Sequence, residues 1–422
     1  MGNPYELRKF VAPELIFGEG AHRLIGRYAA NFRAKKVLIV TDAGVRSHGW
    51  TGRVERELCI QKIPYAIFDG LTPNPKDDEV QAGFDFYRSE GCDVIVAVGG
   101  GSVIDCAKGI SILSTNQGDE PGGGCLAGGG SAGVKALPGE ARACGAEGAS
   151  VSGGILRFAG VDEIANPGPP LLCVPTTAGS SADVSQFSII LDRARQVKVA
   201  LISKLLVPDV ALIDPLTTTS MPPELTAATG VDALVHGVEA YVSNASSTVT
   251  DPHALEAIRL VCQFLPGAIR RPQDMAFRAP MMAASMHAGL AFSNASLGLV
   301  HAMAHSLGGS MDLAHGECNA ILLEYVIQYN YTAEPGRYRQ VGRLFGVDLP
   351  ENAGDEVFRA ALVNAVAGFR REVGLDRRLG DLGVTRADLH RLAENALADP
   401  CLLTNPLQPT LEEIEEIYER AL

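Results

Sequence analysis

DVIVAVGGGSVIDCAKGISIL, residues 93–113, holds a strand, a glycine turn and a helix in one run. Asp93–Val98 is a short β-branched stretch of the kind a buried strand requires. Gly99, Gly100, Gly101 and Ser102 follow, and from Val103 to Leu113 the pattern is helical. Two similar strands stand on either side, Lys36–Thr41 (KVLIVT) and Leu171–Pro175 (LLCVP), with helical stretches such as Asp77–Glu90 between. This alternation predicts an α/β fold with a doubly wound, Rossmann-like parallel sheet. Ligands of such sheets bind beyond the carboxyl ends of the strands.

The glycine turn lies at one of those ends. Glycine lets backbone N–H groups approach a pyrophosphate, and the helix that starts there adds partial positive charge. The letters are not GxGxxG, and an ordinary strand-to-helix turn reads the same way. Asp105 and Lys108 follow at helical spacing and suit a solvated face equally well. Asp42 ends the first strand, where a carboxylate can accept from a ribose hydroxyl and repel a 2′-phosphate. Val174–Ser181 (VPTTAGSS) is a further strand end with clustered hydroxyls.

Beyond Asp214-Pro215-Leu216-Thr217 the character changes to long helical patterns punctuated by Pro and Gly: 223–242, 252–265, 280–310 and 411–422. Two domains are expected, an α/β unit over 1–216 and an all-helical unit over 217–422. Residues 117–153 fit neither. They contain GGGCLAGGG, are about a third glycine and show no period, which predicts an inserted, poorly ordered surface loop.

The 422 residues carry a net charge of −13, which argues against a nucleic-acid surface. Nine cysteines are scattered without a CxxC pair, as in reduced cytosolic proteins. MGNPYELRKF lacks the apolar core of a secretion signal, and Asp105 and Lys108 interrupt the longest apolar stretch. A cytoplasmic protein without membrane contact is expected.

Asp232 and His236 stand four apart in GVDALVH, so a helix places them on one face. His301, His305 and His315 lie within fifteen residues in HAMAHSLGGSMDLAHGE. Gly308-Gly309 is expected to end the helix that carries the first two. Imidazole nitrogen and carboxylate oxygen together hold divalent metals. A single histidine on an apolar face is usually a core residue, but this density points to a metal site. Spacing does not tell which histidines are ligands, and it leaves His253 and His287 open.

Taken together, GGGSVIDCAK (99–108), PTTAGSSADVS (175–185), DALVHGVEAYVS (232–243), GLVHAMAHSLGGSMDLAHGECNA (298–320) and the ending AENALADPCLLTNPLQPT resemble the iron-containing (group III) alcohol dehydrogenase family. The resemblance spans nearly the whole chain apart from the glycine-rich insertion. It implies metal ligands at Asp232, His236, His301 and His315, with His305 near the metal but not on it. It implies a pyrophosphate loop at Gly99, Gly100, Gly101 and Ser102, and a ribose-binding acid at Asp42. Asn74, Thr176, Thr177, Ser180 and Lys198 match positions along the cofactor, and Phe292 matches a pocket aromatic. Two positions depart from the family pattern: Glu324 replaces a usual Pro, and Ser180-Ser181-Ala182 replaces a usual Gly-Thr-Gly/Ala.

The expected activity is hydride transfer between NAD(H) and a small primary alcohol or aldehyde. One divalent ion, Fe(II) or Zn(II), would assist as a Lewis acid. The expected partners are that small molecule and further copies of the chain in a homo-oligomer, commonly a dimer or larger. A glycerol dehydrogenase-like or dehydroquinate synthase-like enzyme is the neighbouring alternative, and a slow family member with a regulatory role is the other.

Overall fold

Asp93–Val98 supplies the body of a central strand, and the glycine turn opens the helix behind it. A computed structural model describes residues 7–117 and 154–422. The glycine-rich insertion lies, past Gln117, outside the described residues. Among the described residues, nine strands are β1 (Glu14–Phe17), β2 (Val37–Val40), β3 (Tyr65–Phe68), β4 (Val94–Gly99), β5 (Gly160–Val161), β6 (Leu171–Pro175), β7 (Phe187–Asp192), β8 (Val197–Ile202) and β9 (Val210–Ile213). Six form one sheet in the order β3-β2-β4-β6-β9-β1, every neighbouring pair parallel. Helices α1 (Ile25–Asn31), α2 (Ala43–Ser47), α3 (Trp50–Ile60), α4 (Asp77–Glu90) and α5 (Gly101–Thr115) connect them.

Helices cover a parallel sheet on both faces, so its inner strands read as unbroken apolar runs. Val37–Val40 and Val94–Val98 accordingly lie within 1% of complete burial. Each Val, Leu or Ile among them contributes about 1.5–3 kcal/mol by leaving water.

From β2 the chain winds outward to β3, returns to β4, and then continues the other way through β6 and β9. The winding reverses between β2 and β4, so a crevice opens beyond their carboxyl ends. Thr41 Oγ ties those two ends together by donating to the Val98 carbonyl at 2.9 Å.

Besides β1, β3 and β9 of this sheet, three further strands of the first half were not read from the sequence. β5, β8 and β7 form a second, three-stranded sheet in which β7 and β8 are antiparallel. Asp105 and Lys108 hold it in place and do not make a solvated face. Lys108 is fully buried, and its Nζ donates to the carbonyls of Ser185 at 2.9 Å and Phe187 at 2.6 Å. The Ile189 N–H donates to Asp105 at 3.2 Å. A buried ammonium needs such acceptors.

The second half is helical: α6 (Pro223–Val242), α7 (Asp251–Arg270), α8 (Met275–Ala295), α9 (Leu299–Met311), α10 (His315–Asn330), α11 (Pro335–Leu344), α12 (Asp355–Glu372), α13 (Leu389–Leu397) and α14 (Leu411–Ala421). The single helix expected over 280–310 is two. Ser296, at φ +61°, ends α8, and α9 starts after Gly298. A Cβ on Gly298 would stand 2.8 Å from Asn405 Oδ1 and 3.1 Å from Glu239 Oε1. The break thus brings acceptors up to the free N–H groups of α9. Nor does α9 stop at Gly308-Gly309. It runs on to Met311, and the two glycines let β8 pass close by at Val197 and Lys198.

Candidate active site

Three helices deliver the metal-ligand candidates. Asp232 and His236 share a face of α6, His301 lies in the first turn of α9, and His315 opens α10. Around Asp232 Oδ1, the Nε2 atoms of His236, His301 and His315 lie at 3.9, 3.7 and 3.6 Å. Four ligands at about 2.1 Å from a tetrahedral ion stand roughly 3.4 Å apart, so modest contraction seats a cation.

The charges suit one as well. Burial raises the Asp232 carboxyl, but His236 and the other two imidazoles outweigh it and hold the group far below the usual carboxylate range. Burial pushes His236 down to about 3 and His315 well below the normal imidazole value, which leaves their lone pairs free to bind. Burial also lowers His301, but Glu239 and Asp232 together raise it to about 9, so a cation there would displace a proton.

Glu239 is a residue that sequence reasoning missed. It continues the Asp232–His236 face of α6 by one more turn. Its Oε2 lies 2.5 Å from His301 Nδ1, and its Oε1 accepts from the Val300 N–H at 2.6 Å. A carboxylate behind a ligating imidazole fixes its tautomer and strengthens it as a donor to metal. The α8–α9 break makes room for this contact.

His305 stands one turn beyond His301 and adopts a different partner. Its Nδ1 is 2.8 Å from Asp399 Oδ2, while Asp399 Oδ1 accepts from the Cys401 N–H at 2.8 Å. Asp399, also missed, sits in the C-terminal stretch that carries the family resemblance. The His305 ring stacks on His315 with centroids 5.2 Å apart, so it adjoins the cluster. Phe292 stacks on His236 at 4.3 Å and meets Phe187 edge-on at 5.5 Å, forming an apolar wall beside the ligands.

The cofactor candidates gather at the strand ends. Gly99–Ser102 fits under the β6 loop so closely that a Cβ on Gly101 would lie 2.8 Å from Ser180, and one on Gly100 3.0 Å from Thr177. Thr176 N–H donates to the Gly99 carbonyl at 3.0 Å. Asp42 caps α2 by accepting from the Val45 N–H at 2.8 Å. Asn74 spans the crevice. Its N–H donates to Ser102 Oγ at 3.3 Å, and its amide donates to Asp312, just past α9, at 2.7 Å. Lys198, on β8, brings its Nζ within 2.9 Å of where a Cβ on Gly308 of α9 would stand, and burial lowers its pKa against the pull of Cys318, Asp312, Asp232 and Asp105. These contacts thus join Gly99–Ser102 to Thr176, Thr177 and Ser180, and through Asn74 to the end of α9.

Residues 12–215 match the family model described as iron-containing alcohol dehydrogenase, and 226–422 match that of its C-terminal region. The chain belongs to the iron-containing alcohol dehydrogenase family. It is 36% identical over 420 residues to a 1,3-propanediol dehydrogenase of Citrobacter freundii, covering 99% of both chains. It is 35% identical to a lactaldehyde reductase of Escherichia coli, covering 96% of this chain and 97% of that one. An NAD-dependent methanol dehydrogenase of Bacillus methanolicus is 32% identical, with 98% and 99% covered. The crystal structure of a 1,3-propanediol oxidoreductase superposes with a TM-score of 0.87 at 35% identity, over 99% of this chain and all of that one. As an alcohol dehydrogenase of this family, the chain has no described helix long and apolar enough to cross a membrane.

Proposed function

We propose that the protein interconverts a small primary alcohol and its aldehyde, with NAD(H) as hydride carrier and one divalent ion held by Asp232, His236, His301 and His315. Fe(II) is the family's metal, and the donor set also suits Zn(II). The observation that carries this reading is the convergence of those four ligand atoms from α6, α9 and α10. The relatives named for 1,3-propanediol, lactaldehyde and methanol support a short substrate.

Bound there, the ion supplies Lewis acidity to a substrate oxygen. The protein supplies position. Backbone N–H groups of Gly100–Ser102 at the start of α5 hold the pyrophosphate. Asp42 accepts from the ribose hydroxyls and repels a 2′-phosphate. Asn74, Thr176, Thr177, Ser180 and Lys198 line the path from there to the metal. Phe292, packed on His236, bounds the substrate pocket and favours short apolar chains. Asp399 holds His305 by Nδ1, leaving Nε2 to take the alcohol proton and pass it outward. We also propose a homo-oligomeric, cytoplasmic enzyme, with the cofactor domain at 1–216 and the metal domain at 217–422.

Oxidation of NADH and of NADPH with a panel of short aldehydes tests the reading. Turnover with NADH and at least one of them is expected. Glycerol oxidation without aldehyde reduction would favour the glycerol dehydrogenase-like alternative.

A further inference from the structure

Asn319 is fully buried one turn after His315 on α10. Its side-chain Nδ2 donates to Asp232 Oδ1 at 2.8 Å. The same nitrogen lies 3.2 Å from His301 Nε2 and 3.3 Å from His315 Nε2. One amide thus reaches metal-binding atoms from α6, α9 and α10.

Its orientation follows from the chemistry of these neighbours. The nearest of these neighbours is a carboxylate oxygen, which only accepts, so the NH₂ end must face it, and the carbonyl end would be repelled. The carbonyl end pays for this arrangement: Asn319 Oδ1 is buried without a hydrogen-bond partner. A buried asparagine that leaves one end unsatisfied is held by what the other end does. The amide donates to the Asp232 oxygen and packs against both imidazole nitrogens, beside the point where a cation would bind. It neutralises part of their mutual repulsion and links three helices that no covalent tie holds together.

We infer that Asn319 is a positioning residue for the metal centre, an amide that gathers Asp232, His301 and His315 into binding register. The inference rests on the metal-site reading above. It assigns Asn319 no bond to the ion and no contact with the substrate. Removing the amide leaves the ligands free to separate, so metal binding must also gather them. Replacing it with a carboxylate sets a second anion against Asp232 in the metal-free protein, a repulsion that a cation relieves.

The test compares the full-length parent with Asn319→Ala and the near-isosteric Asn319→Asp, both stripped and loaded with Zn(II). Zinc affinity is read by competition with a chromogenic chelator, and thermal stability is read in both states. Asn319→Ala should weaken zinc binding by about tenfold, the weight of roughly one hydrogen bond that no longer holds the ligands together. Asn319→Asp should lower the melting temperature of the stripped protein and widen the rise on adding zinc beyond the parent's. A residue that only fills space would lower the stability of both states equally and leave zinc affinity unchanged, and that result overturns the inference. Should Asn319→Ala fail to fold, Asn319→Asp decides alone. Equal zinc binding by parent and variants refutes the role of Asn319 only, whereas a parent that binds no zinc refutes the metal-site reading and this inference together.

Discussion

Glu239→Gln removes a charge and almost no volume, so it isolates what the carboxylate does for His301. Glu239 is 4% exposed and receives two contacts, His301 Nδ1 at 2.5 Å and the Val300 N–H at 2.6 Å. Both neighbours are donors when His301 binds metal through Nε2. Glutamine has one acceptor end, so whichever way its amide turns, one donor faces another. A hydrogen bond to a charged group contributes about 1.5–3 kcal/mol, and roughly 1.4 kcal/mol is a factor of ten. Zinc affinity should therefore fall by about 10–100-fold, the range typical of outer partners of metal ligands. Proton competition shapes the pH dependence. In the metal-free parent, burial lowers His301, but Glu239 and Asp232 bring it to about 9, so metal must displace a proton below that pH. Without the Glu239 charge the His301 pKa falls, and the proton competes less well in the variant. The deficit should thus be smallest near neutral pH and largest above about pH 9. Chelator competition across that range, with melting curves to confirm folding, measures it. An affinity within twofold of the parent at every pH would refute the argument.

His305→Gln should keep a full metal equivalent while lowering turnover and flattening the pH profile, and Asp399→Asn should reproduce part of this effect; loss of metal on His305→Gln would make His305 a ligand. Asp42→Gly should narrow the preference for NADH over NADPH by about tenfold or more, the weight of one charged hydrogen bond, and equal use of both cofactors by the parent would refute it. Glycine costs the α2 N-cap only a few tenths of a kcal/mol, so folding should hold. Burial raises Asp183 from 3.8 to about 6, against the pull of its backbone hydrogen bond and Lys108. The folded state then holds more protons than the unfolded between those values, so Asp183 lowers stability as pH rises through that window. Asp183→Asn should remove this loss, gaining stability relative to the parent from pH 4 to pH 7 in urea unfolding; a constant difference would contradict the burial argument.

The sheet was legible because β2, β4 and β6 are buried on both faces and so read as continuous apolar runs. The β7–β8 hairpin was not, since it owes its position to Lys108 and Asp105, and nothing in their spacing distinguishes a buried staple from a solvated face. The helix break at Ser296 was hidden inside an alanine-rich run, where only the backbone at one residue turns aside. Four ligand candidates were visible because histidine clusters are rare and the family motifs agree. Their partners were less so. Glu239 had a signal, the third position on the Asp232–His236 face, but Asp399 lies 94 residues from His305 and only the fold brings them together. Asn319 stands inside a quoted motif, yet its role depends on a meeting of three helices that no local pattern encodes. Glu324, which replaces a usual Pro, is buried and lies 3.4 Å from Arg370, a local substitution that leaves the ligand cluster intact.

Metal titration tests the central claim most directly. The chain is stripped, reloaded anaerobically with measured amounts of Fe(II), and assayed for NADH-dependent reduction of a short aldehyde beside His301→Ala. Turnover should rise in proportion to bound iron and stop at one equivalent per chain, while His301→Ala should take up little metal and stay inactive. Full turnover in the stripped parent, or a full equivalent retained by His301→Ala, would contradict the account.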